Sequence, residues 1–156
     1  MKQIFNQAID EVSSTLKDKL GDWRFVDGKV YKYVKLQNTT ATVAGVSGDP
    51  VAYGATSGYD NNLVVLDMSD AESQPVGAGF LNATVVGTLA TAYYVWITIK
   101  GLVTVPTAVG SGVVGSTVRL TSTDKTLGVT TGVLNAMGVE LTATAANNKV
   151  AADCPF

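Results

Sequence analysis

The stretch from Val109 to Ser116 contains the glycine spacing G-x-G-x-x-G, at Gly110, Gly112 and Gly115. In dinucleotide-binding proteins such glycines follow a strand, open a helix and cradle a pyrophosphate, with an acidic residue about 20 positions later. Here the sequence after Gly115 reads STVRLTST, which is strand-like, and Glu140 comes too late. We therefore expect no dinucleotide site and interpret the glycines as a loop leading into a β segment.

The sequence contains few residues that could support nucleophilic catalysis. The chain has no histidine, so neither a Ser-His-Asp nor a Cys-His arrangement can form. Two S-x-x-K pairs, Ser14 with Lys17 and Ser122 with Lys125, lack the further Lys and Asn elements of serine acyl-enzymes. The single cysteine, Cys154, cannot form an internal disulfide. We expect no catalytic residues.

The carboxylates offer only weak candidates for chemistry. Nothing in the sequence selects an acid and base pair of the glycosidase type among the acidic residues. The loop Asp67 to Glu72, DMSDAE, could supply oxygen ligands to calcium, but it lacks the spaced carboxylates and fixed glycine of a dedicated calcium loop. We interpret it as a solvated loop, and we expect neither a metal nor a cofactor.

Composition narrows the range of partners. The 156 residues are 46% hydrophobic and 15% charged, with a net charge of −2, so no basic surface for nucleic acid is expected. The uncharged stretch 80–99 contains Asn82 and ends in an alternating pattern, which favours buried strands over a membrane helix. The acidic pair Asp10-Glu11 lies where a signal peptide would be apolar. We expect no membrane partner.

The first 36 residues differ from the rest in charge and pattern. They carry seven basic and five acidic residues, whereas the remaining 120 carry four basic and eight acidic ones. Residues 2–20 predict an amphipathic helix that Gly21 would end. Its apolar stripe must pack against the same chain or another subunit, and it consists of Phe5, Ile9, Val12, Leu16 and Leu20.

A β-hairpin is predicted directly after this segment, over WRFVDGKVYKYVKL from Trp23 to Leu36. Asp27-Gly28 suits a type I′ turn, which places Phe25 opposite Val30 and Arg24 opposite Tyr31. One face then mixes aromatic and basic side chains, and it is either a docking surface or a solvated sheet face. That face carries Arg24, Lys29, Tyr31, Tyr33 and Lys35.

From residue 37 onward the chain is rich in Val and Thr, which favour strands. We predict strands at 41–46, 50–53, 62–67, 83–89, 92–99, 102–105, 117–122, 126–130, 137–144 and 148–152. The fold class is mainly β: a small β-barrel or β-sandwich with the N-terminal helix and hairpin. Gly48 to Thr56 aligns with Gly115 to Thr123, and Val76-Gly77 with Met137-Gly138, which predicts two related β modules at 48–105 and 115–153.

This modular pattern resembles a known family. The first half contains GDPVAY (48–53) and VGAGFLNAT (76–84), and the second half contains GSTVRL (115–120) and MGVEL (137–141). Together with WRFVDGKVYKYVKL and ATVAGVSGDPVAYG, these segments resemble the small β-rich decoration, or cement, proteins of tailed-phage capsids. The resemblance covers about residues 23–153.

The resemblance implies a structural protein of the virion surface that binds the assembled head and braces contacts between capsomers. The implied partners are the major capsid protein and further copies of the chain, with a trimer favoured. Residues 1–36 form the predicted attachment or oligomerisation region and 37–156 the β-rich body. The predicted interface residues are Phe5, Ile9, Val12, Leu16, Leu20, Trp23, Arg24, Tyr31 and Tyr33.

Two other functions stay open at this point. One is another virion module, such as a head-fibre or tail adaptor. The other is a carbohydrate-binding β module, which would need an exposed aromatic platform. The candidates for that platform are Tyr53, Tyr59, Tyr93, Tyr94 and Trp96.

Overall fold

The computed structural model describes residues 4–55, 58–107, 109–110, 112–132, 135–142 and 147–154. These residues form a mainly β fold with one ten-stranded sheet and one two-stranded sheet, together with a one-turn helix at Gly58–Asn61 and a 3-10 turn at Met68–Asp70. The strands are β1 (Trp23–Val26), β2 (Lys29–Leu36), β3 (Val43–Gly45), β4 (Pro50–Tyr53), β5 (Leu63–Val65), β6 (Gly77–Leu81), β7 (Val85–Gly87), β8 (Tyr93–Val105), β9 (Thr117–Leu120), β10 (Leu127–Thr130), β11 (Ala136–Glu140) and β12 (Asn148–Asp153).

The predicted N-terminal helix is wrong over the described residues 4–20, which form turns, bends and one isolated β-bridge. The apolar spacing suited a helix, but Ser13-Ser14-Thr15 interrupts it with residues that favour turns. The Asp18 side chain also draws the chain back on itself, because its carboxylate accepts the backbone N–H groups of Asn6 and Gln7 at 2.8 and 3.0 Å. Side-chain and tertiary contacts therefore replace the helical hydrogen bonds.

The predicted hairpin is confirmed with its register. Phe25 lies opposite Val30 and Arg24 opposite Tyr31. Asp27 and Gly28 have φ values of 50° and 74°, as a type I′ turn requires. Most of the predicted body strands are present within a few residues, and 92–99 and 102–105 merge into the single strand β8. Residues 143–144, at the end of the predicted strand 137–144, lie outside the described residues.

Five strands form a closed set of pairings that we name the first strand circuit. β2 pairs in parallel with β5, and β5 pairs with β4 in antiparallel orientation. β4 then pairs with β6, β6 with β8 and β8 with β2, all antiparallel. β1 extends this circuit as an edge strand on β2.

The C-terminal half of the chain repeats this order of pairings in what we name the second strand circuit. β8 pairs with β12, β12 with β11, β11 with β9 and β9 with β10, all antiparallel. The chain just after β8 then makes a parallel bridge from Gly110 to Gly128 of β10. Residues 93–100 of β8 serve the first circuit and residues 100–105 serve the second.

Equivalent residues of the two circuits make equivalent hydrogen bonds. Gln37 donates its backbone N–H to Val64, and Gly110 donates to Leu127 in the same way. The register slips at the same point in both circuits, between Val51 and Ala52 in the pairing of β4 with β6, and between Ala136 and Gly138 in the pairing of β11 with β9. The two circuits therefore share this pattern, although the chain from Leu102 to Gly110 is two residues longer than the matching stretch from Tyr31 to Gln37.

The two circuits also share the turn that precedes β4 in the first circuit and β9 in the second. Gly48 and Gly115 have φ values of 93° and 91°, and their N–H groups donate to the carbonyls of Leu81 and Glu140. Three residues earlier stand Gly45 and Gly112, so the last two glycines of the G-x-G-x-x-G motif have counterparts in the first circuit. By strand register, Gly138 of the second circuit is equivalent to Gly79 of the first. The sequence alignment instead matches Gly138 with Gly77, two residues earlier.

One apolar core runs through both circuits and contains residues from β2 to β12. A smaller aromatic cluster of Tyr31, Tyr33 and Trp96 lies outside it, on the opposite face of β2 and β8. This second cluster is where the N-terminal segment packs.

Candidate functional site

An aromatic face covers the outside of β2 and β8. It consists of Tyr31 and Tyr33 on β2 and of Tyr94 and Trp96 on β8. The antiparallel register places Tyr33 opposite Trp96, with 5.0 Å between ring centroids. Tyr33 also stacks on Tyr94 with a centroid separation of 6.4 Å. Burial raises the pKa of Tyr33, so its hydroxyl remains a hydrogen-bond donor at neutral pH.

The N-terminal segment 4–22, which we name the arm, packs on this aromatic face. Phe5 approaches Trp96 edge-on with 5.2 Å between centroids. Ile9 and Leu20 pack against the same cluster. The Arg24 guanidinium lies 5.2 Å from the Phe5 ring centroid, in cation–π contact. The aromatic and basic face that the sequence offered for docking is therefore occupied by its own chain.

Gln7 is the polar centre of this contact and is only 1% exposed. Its side-chain N–H groups donate to the carbonyls of Glu11 and Tyr94 at 2.8 and 2.7 Å. Its side-chain oxygen accepts the Tyr33 hydroxyl at 2.6 Å, and its backbone carbonyl accepts the Trp96 indole N–H at 3.2 Å. A buried amide that is fully paired in this way fixes one geometry for the arm.

Backbone pairing adds to the side-chain contacts of the arm. Ser13 and Tyr94 exchange two N–H to carbonyl hydrogen bonds, at 3.2 and 2.7 Å. Gly21 donates to the Tyr33 carbonyl, and the Tyr33 N–H donates to Asp22. The arm is thus tied to both strands of the aromatic face.

The nine predicted interface residues separate into three groups. Phe5, Ile9, Leu20, Tyr31 and Tyr33 come together in the arm contact, with Arg24 over Phe5. Val12 packs against the main core. Only two remain exposed, Leu16 at 51% and Trp23 at 49%. Phe25, which the prediction omitted, is 74% exposed.

Sequence reasoning missed two residues that organise this contact, Gln7 and Trp96. In the sequence Trp96 is a candidate only for the carbohydrate platform, and Gln7 carries no prediction of its own. Alternation along 93–99 places Tyr94 and Trp96 on one face, and that pattern was the available signal.

The same positions in the second circuit are not covered by the arm. The matched register makes Leu102 the counterpart of Tyr31, Thr104 that of Tyr33, and Lys149 that of Trp96. All three are exposed. One face of β8 is therefore closed by the arm at its first half and open at its second half.

A lysine and a tyrosine are buried together inside the first circuit. In the first circuit Lys32 donates its ammonium to the Tyr53 hydroxyl at 2.9 Å, and burial lowers the pKa of Lys32. Burial also raises the pKa of Tyr53 to about 12. The counterparts of Lys32 and Tyr53 in the second circuit are Val103 and Leu120. Because both side chains are buried, we interpret the Lys32–Tyr53 pair as a structural contact of the core.

Glu140 is the buried acid of the second circuit, at the position that Leu81 occupies in the first. One carboxylate oxygen accepts from Asn148 at 3.0 Å, and the other has no hydrogen-bond partner among the residues that the structure describes. Burial raises the pKa of Glu140. A Cβ at Gly112 would overlap this carboxylate, which explains why the second glycine of the G-x-G-x-x-G motif is a glycine.

The remaining sequence motifs have structural roles. β9 follows Gly115, so the motif does not open a helix; Ser111 lies outside the described residues. Lys17 pairs with Glu11, and Lys125 donates to the Ala44 carbonyl at 2.9 Å. In the acidic loop Asp67 caps the 3-10 turn through Ser69, and Asp70 accepts from Thr39. The Cys154 thiol is buried, and burial raises its pKa.

The carbohydrate platform is dispersed by the fold. Tyr53 and Trp96 are buried, and Tyr93 and Tyr94 are half-buried. Tyr59 is exposed and stacks on Tyr53 with 4.5 Å between centroids. The candidates therefore do not form one exposed row of rings.

Among the described residues, no helix is long and apolar enough to cross a membrane. Comparison with protein-family models, with curated proteins and with solved structures found no match to this chain.

Proposed function

We propose that this chain is a structural virion protein that decorates the assembled head of a tailed phage. It binds the major capsid protein on the capsid surface as a homo-oligomer, with a trimer favoured, and braces contacts between capsomers. Another virion part, such as a head-fibre or tail adaptor, is the runner-up within the same class.

The observation that carries the proposal is how the chain distributes its side chains. Three of its buried ionisable side chains, Lys32, Tyr53 and Glu140, lie within the packed circuits. Its surface instead exposes large apolar side chains, among them Leu16, Phe25, Leu102 and Val139. A rigid body with exposed apolar residues suits a protein whose work is contact.

The architecture supports the same proposal. We infer that each strand circuit is a small β-barrel and that the two arose by duplication. A long strand shared by two such units would transmit force across the molecule without a flexible linker, which a brace requires. Of the predicted interface residues Leu16 and Trp23 are exposed, and the exposed Phe25 joins them as a candidate for attachment near the N-terminus.

The test is co-sedimentation with heads of the phage that encodes the chain, prepared without decoration protein. Binding to assembled heads, with none to free capsid subunits, is the expected result, because the site would exist only in the lattice. A Leu16→Ser, Phe25→Ser variant should bind more weakly if the N-terminal region attaches. Absence of binding to any head would refute the proposal.

A further inference from the structure

The outer face of the second circuit carries a row of uncharged side chains, one from each of four neighbouring strands. The register aligns Leu102 with Ala151, Ala151 with Val139, and Val139 with Thr117. Leu102 is 45% exposed and Val139 37% exposed. With strands about 4.8 Å apart, such a row spans roughly 15 Å. We name this surface the open face.

The first circuit shows what covers the matching surface. There the counterparts of Ala151 and Val139 are Thr98, which donates to Asn82, and Phe80, which is buried in the main core. The counterparts of Leu102, Thr104 and Lys149 are Tyr31, Tyr33 and Trp96, and all three are buried. The cover beside them is the arm, an irregular segment held by apolar anchors and a few backbone hydrogen bonds. Within the described part of the chain, one arm stands against two such faces.

Charge distinguishes the open face from the rest of the C-terminal body. Residues 37–156 contain only four basic residues, and three of them, Lys100, Arg119 and Lys149, project from the same side of the sheet as Leu102. Asp153 is the acidic residue beside them, and its carboxylate pairs with Lys100 at 3.0 Å. The border of the apolar row is therefore basic within an otherwise acidic region.

The arm gives the apolar part of the matching chemistry. Its apolar anchors Phe5, Ile9 and Leu20 cover the first face, while its acids Glu11 and Asp18 bond within the arm, so the acidic character of the partner is inferred from the basic border. We propose that the open face is a docking surface for an extended, acidic segment with apolar anchors, contributed by the capsid protein. This inference rests on the proposed function and adds the surface and the chemistry of the partner.

A second copy of the chain suits this face less well. Two open faces in a twofold contact would bring Arg119 and Lys149 of one copy towards the same residues of the other, and like charges repel. The arm of a second copy is already held on its own aromatic face. The charge pattern therefore favours a different, acidic chain.

The experiment compares two face variants with one control in quantitative co-sedimentation with assembled heads. An Arg119→Glu, Lys149→Glu variant reverses the basic border, and a Leu102→Ser, Val139→Ser variant removes the apolar row. Each should weaken binding roughly tenfold or more, since charge reversal against a complementary partner and loss of buried anchors both act on affinity. Wild-type binding should weaken as salt rises.

The matched control is Lys35→Glu, Lys125→Glu, which changes charge equally at two partly exposed lysines away from the open face, one opposite Tyr94 and one bonded to Ala44. It should bind within about threefold of the wild type, and thermal melts should show that all variants are folded.

If both face variants bind heads like the wild type, the docking inference is overturned and the proposed function stands. If the wild type binds no head, both fail. If the variants lose only self-association, in sedimentation velocity, the partner is a second copy and the capsid assignment is overturned.

Discussion

The two strand circuits share a backbone pattern but not a set of core side chains. Lys32 and Tyr53 of the first circuit stand where the second has Val103 and Leu120, and Glu140 of the second stands where the first has Leu81. The hydrogen bonds and the register slip are nonetheless the same. The turns and strand pairings therefore define the circuit, and its interior accepts polar replacements where each finds a local partner.

The shared turn glycines show a second kind of difference. Gly48 and Gly115 have almost the same positive φ, so a side chain is strained at either position. A Cβ at Gly48 would overlap the Thr104 carbonyl oxygen, whereas a Cβ at Gly115 meets no atom within 4 Å. The backbone requirement is common to both circuits, and the packing requirement belongs to the first.

The largest predicted loss of stability distinguishes the backbone requirement at these glycines from the packing requirement. Gly48→Ala should lower the free energy of unfolding by about 3 kcal/mol or more, because left-handed strain of about 1–2 kcal/mol adds to an overlap that moves the backbone. Gly115→Ala should cost only the strain of about 1–2 kcal/mol. Urea unfolding of both variants measures the difference. Equal losses would show that the overlap is relieved without cost and that the circuits are equivalent here.

The second effect concerns the acid of the second circuit. Glu140→Leu installs the side chain of the first circuit and removes a buried carboxylate oxygen that has no partner in the described part of the chain. We expect a gain of about 1 kcal/mol at neutral pH, because the desolvation penalty of an unpaired oxygen exceeds the single hydrogen bond to Asn148.

The pH dependence of Glu140→Leu gives its direction an independent check. The folded state raises the pKa of Glu140, so the contribution of this group to stability is full below its ordinary pKa and is lost as pH rises through the raised value. The advantage of the variant should therefore grow as urea unfolding is repeated from pH 4 to pH 8. Glu72→Leu, in an exposed loop, is the control and should show no such growth. An advantage that shrinks with rising pH would contradict the assignment.

The sequence was sufficient where structure depends on neighbours in the chain. Asp27-Gly28 determines the hairpin and its register through backbone conformations that few other residues adopt. The strands rich in Val and Thr were also predictable, whereas β6 was missed because Gly77 and Gly79 lower its strand propensity. A side chain at Gly77 would overlap Met137, a contact 60 positions away.

The candidate site was less predictable because it depends on distant partners. The apolar spacing of residues 5–20 suggested a helix, yet Gln7 bonds to Tyr33 and Trp96 and Ser13 to Tyr94. These contacts span 26 to 89 positions along the chain. The open face needed the register of four strands before Leu102 and Val139 could be seen as neighbours. Residue types indicated a contact surface, but only the pairings determined which surface is covered.

The smallest expected effect concerns the lysine of the first circuit. Lys32→Met keeps an unbranched side chain, one heavy atom shorter, and removes an amine whose pKa burial lowers. A lowered pKa means that the contribution of Lys32 to stability is present above its ordinary pKa and is lost as pH falls through the lowered value. At pH 7 the variant should be more stable by less than about 1 kcal/mol, since the hydrogen bond to Tyr53 offsets most of the gain. Its advantage should shrink as pH rises from 7 to 10 in urea unfolding, opposite to the trend for Glu140→Leu.

The control is Lys19→Met, at an exposed position, whose difference in unfolding free energy from the wild type should stay constant over that range. If Lys32→Met instead gained advantage with rising pH, the two circuits would not carry buried charges of opposite sign, and the comparison between them would lose its electrostatic basis.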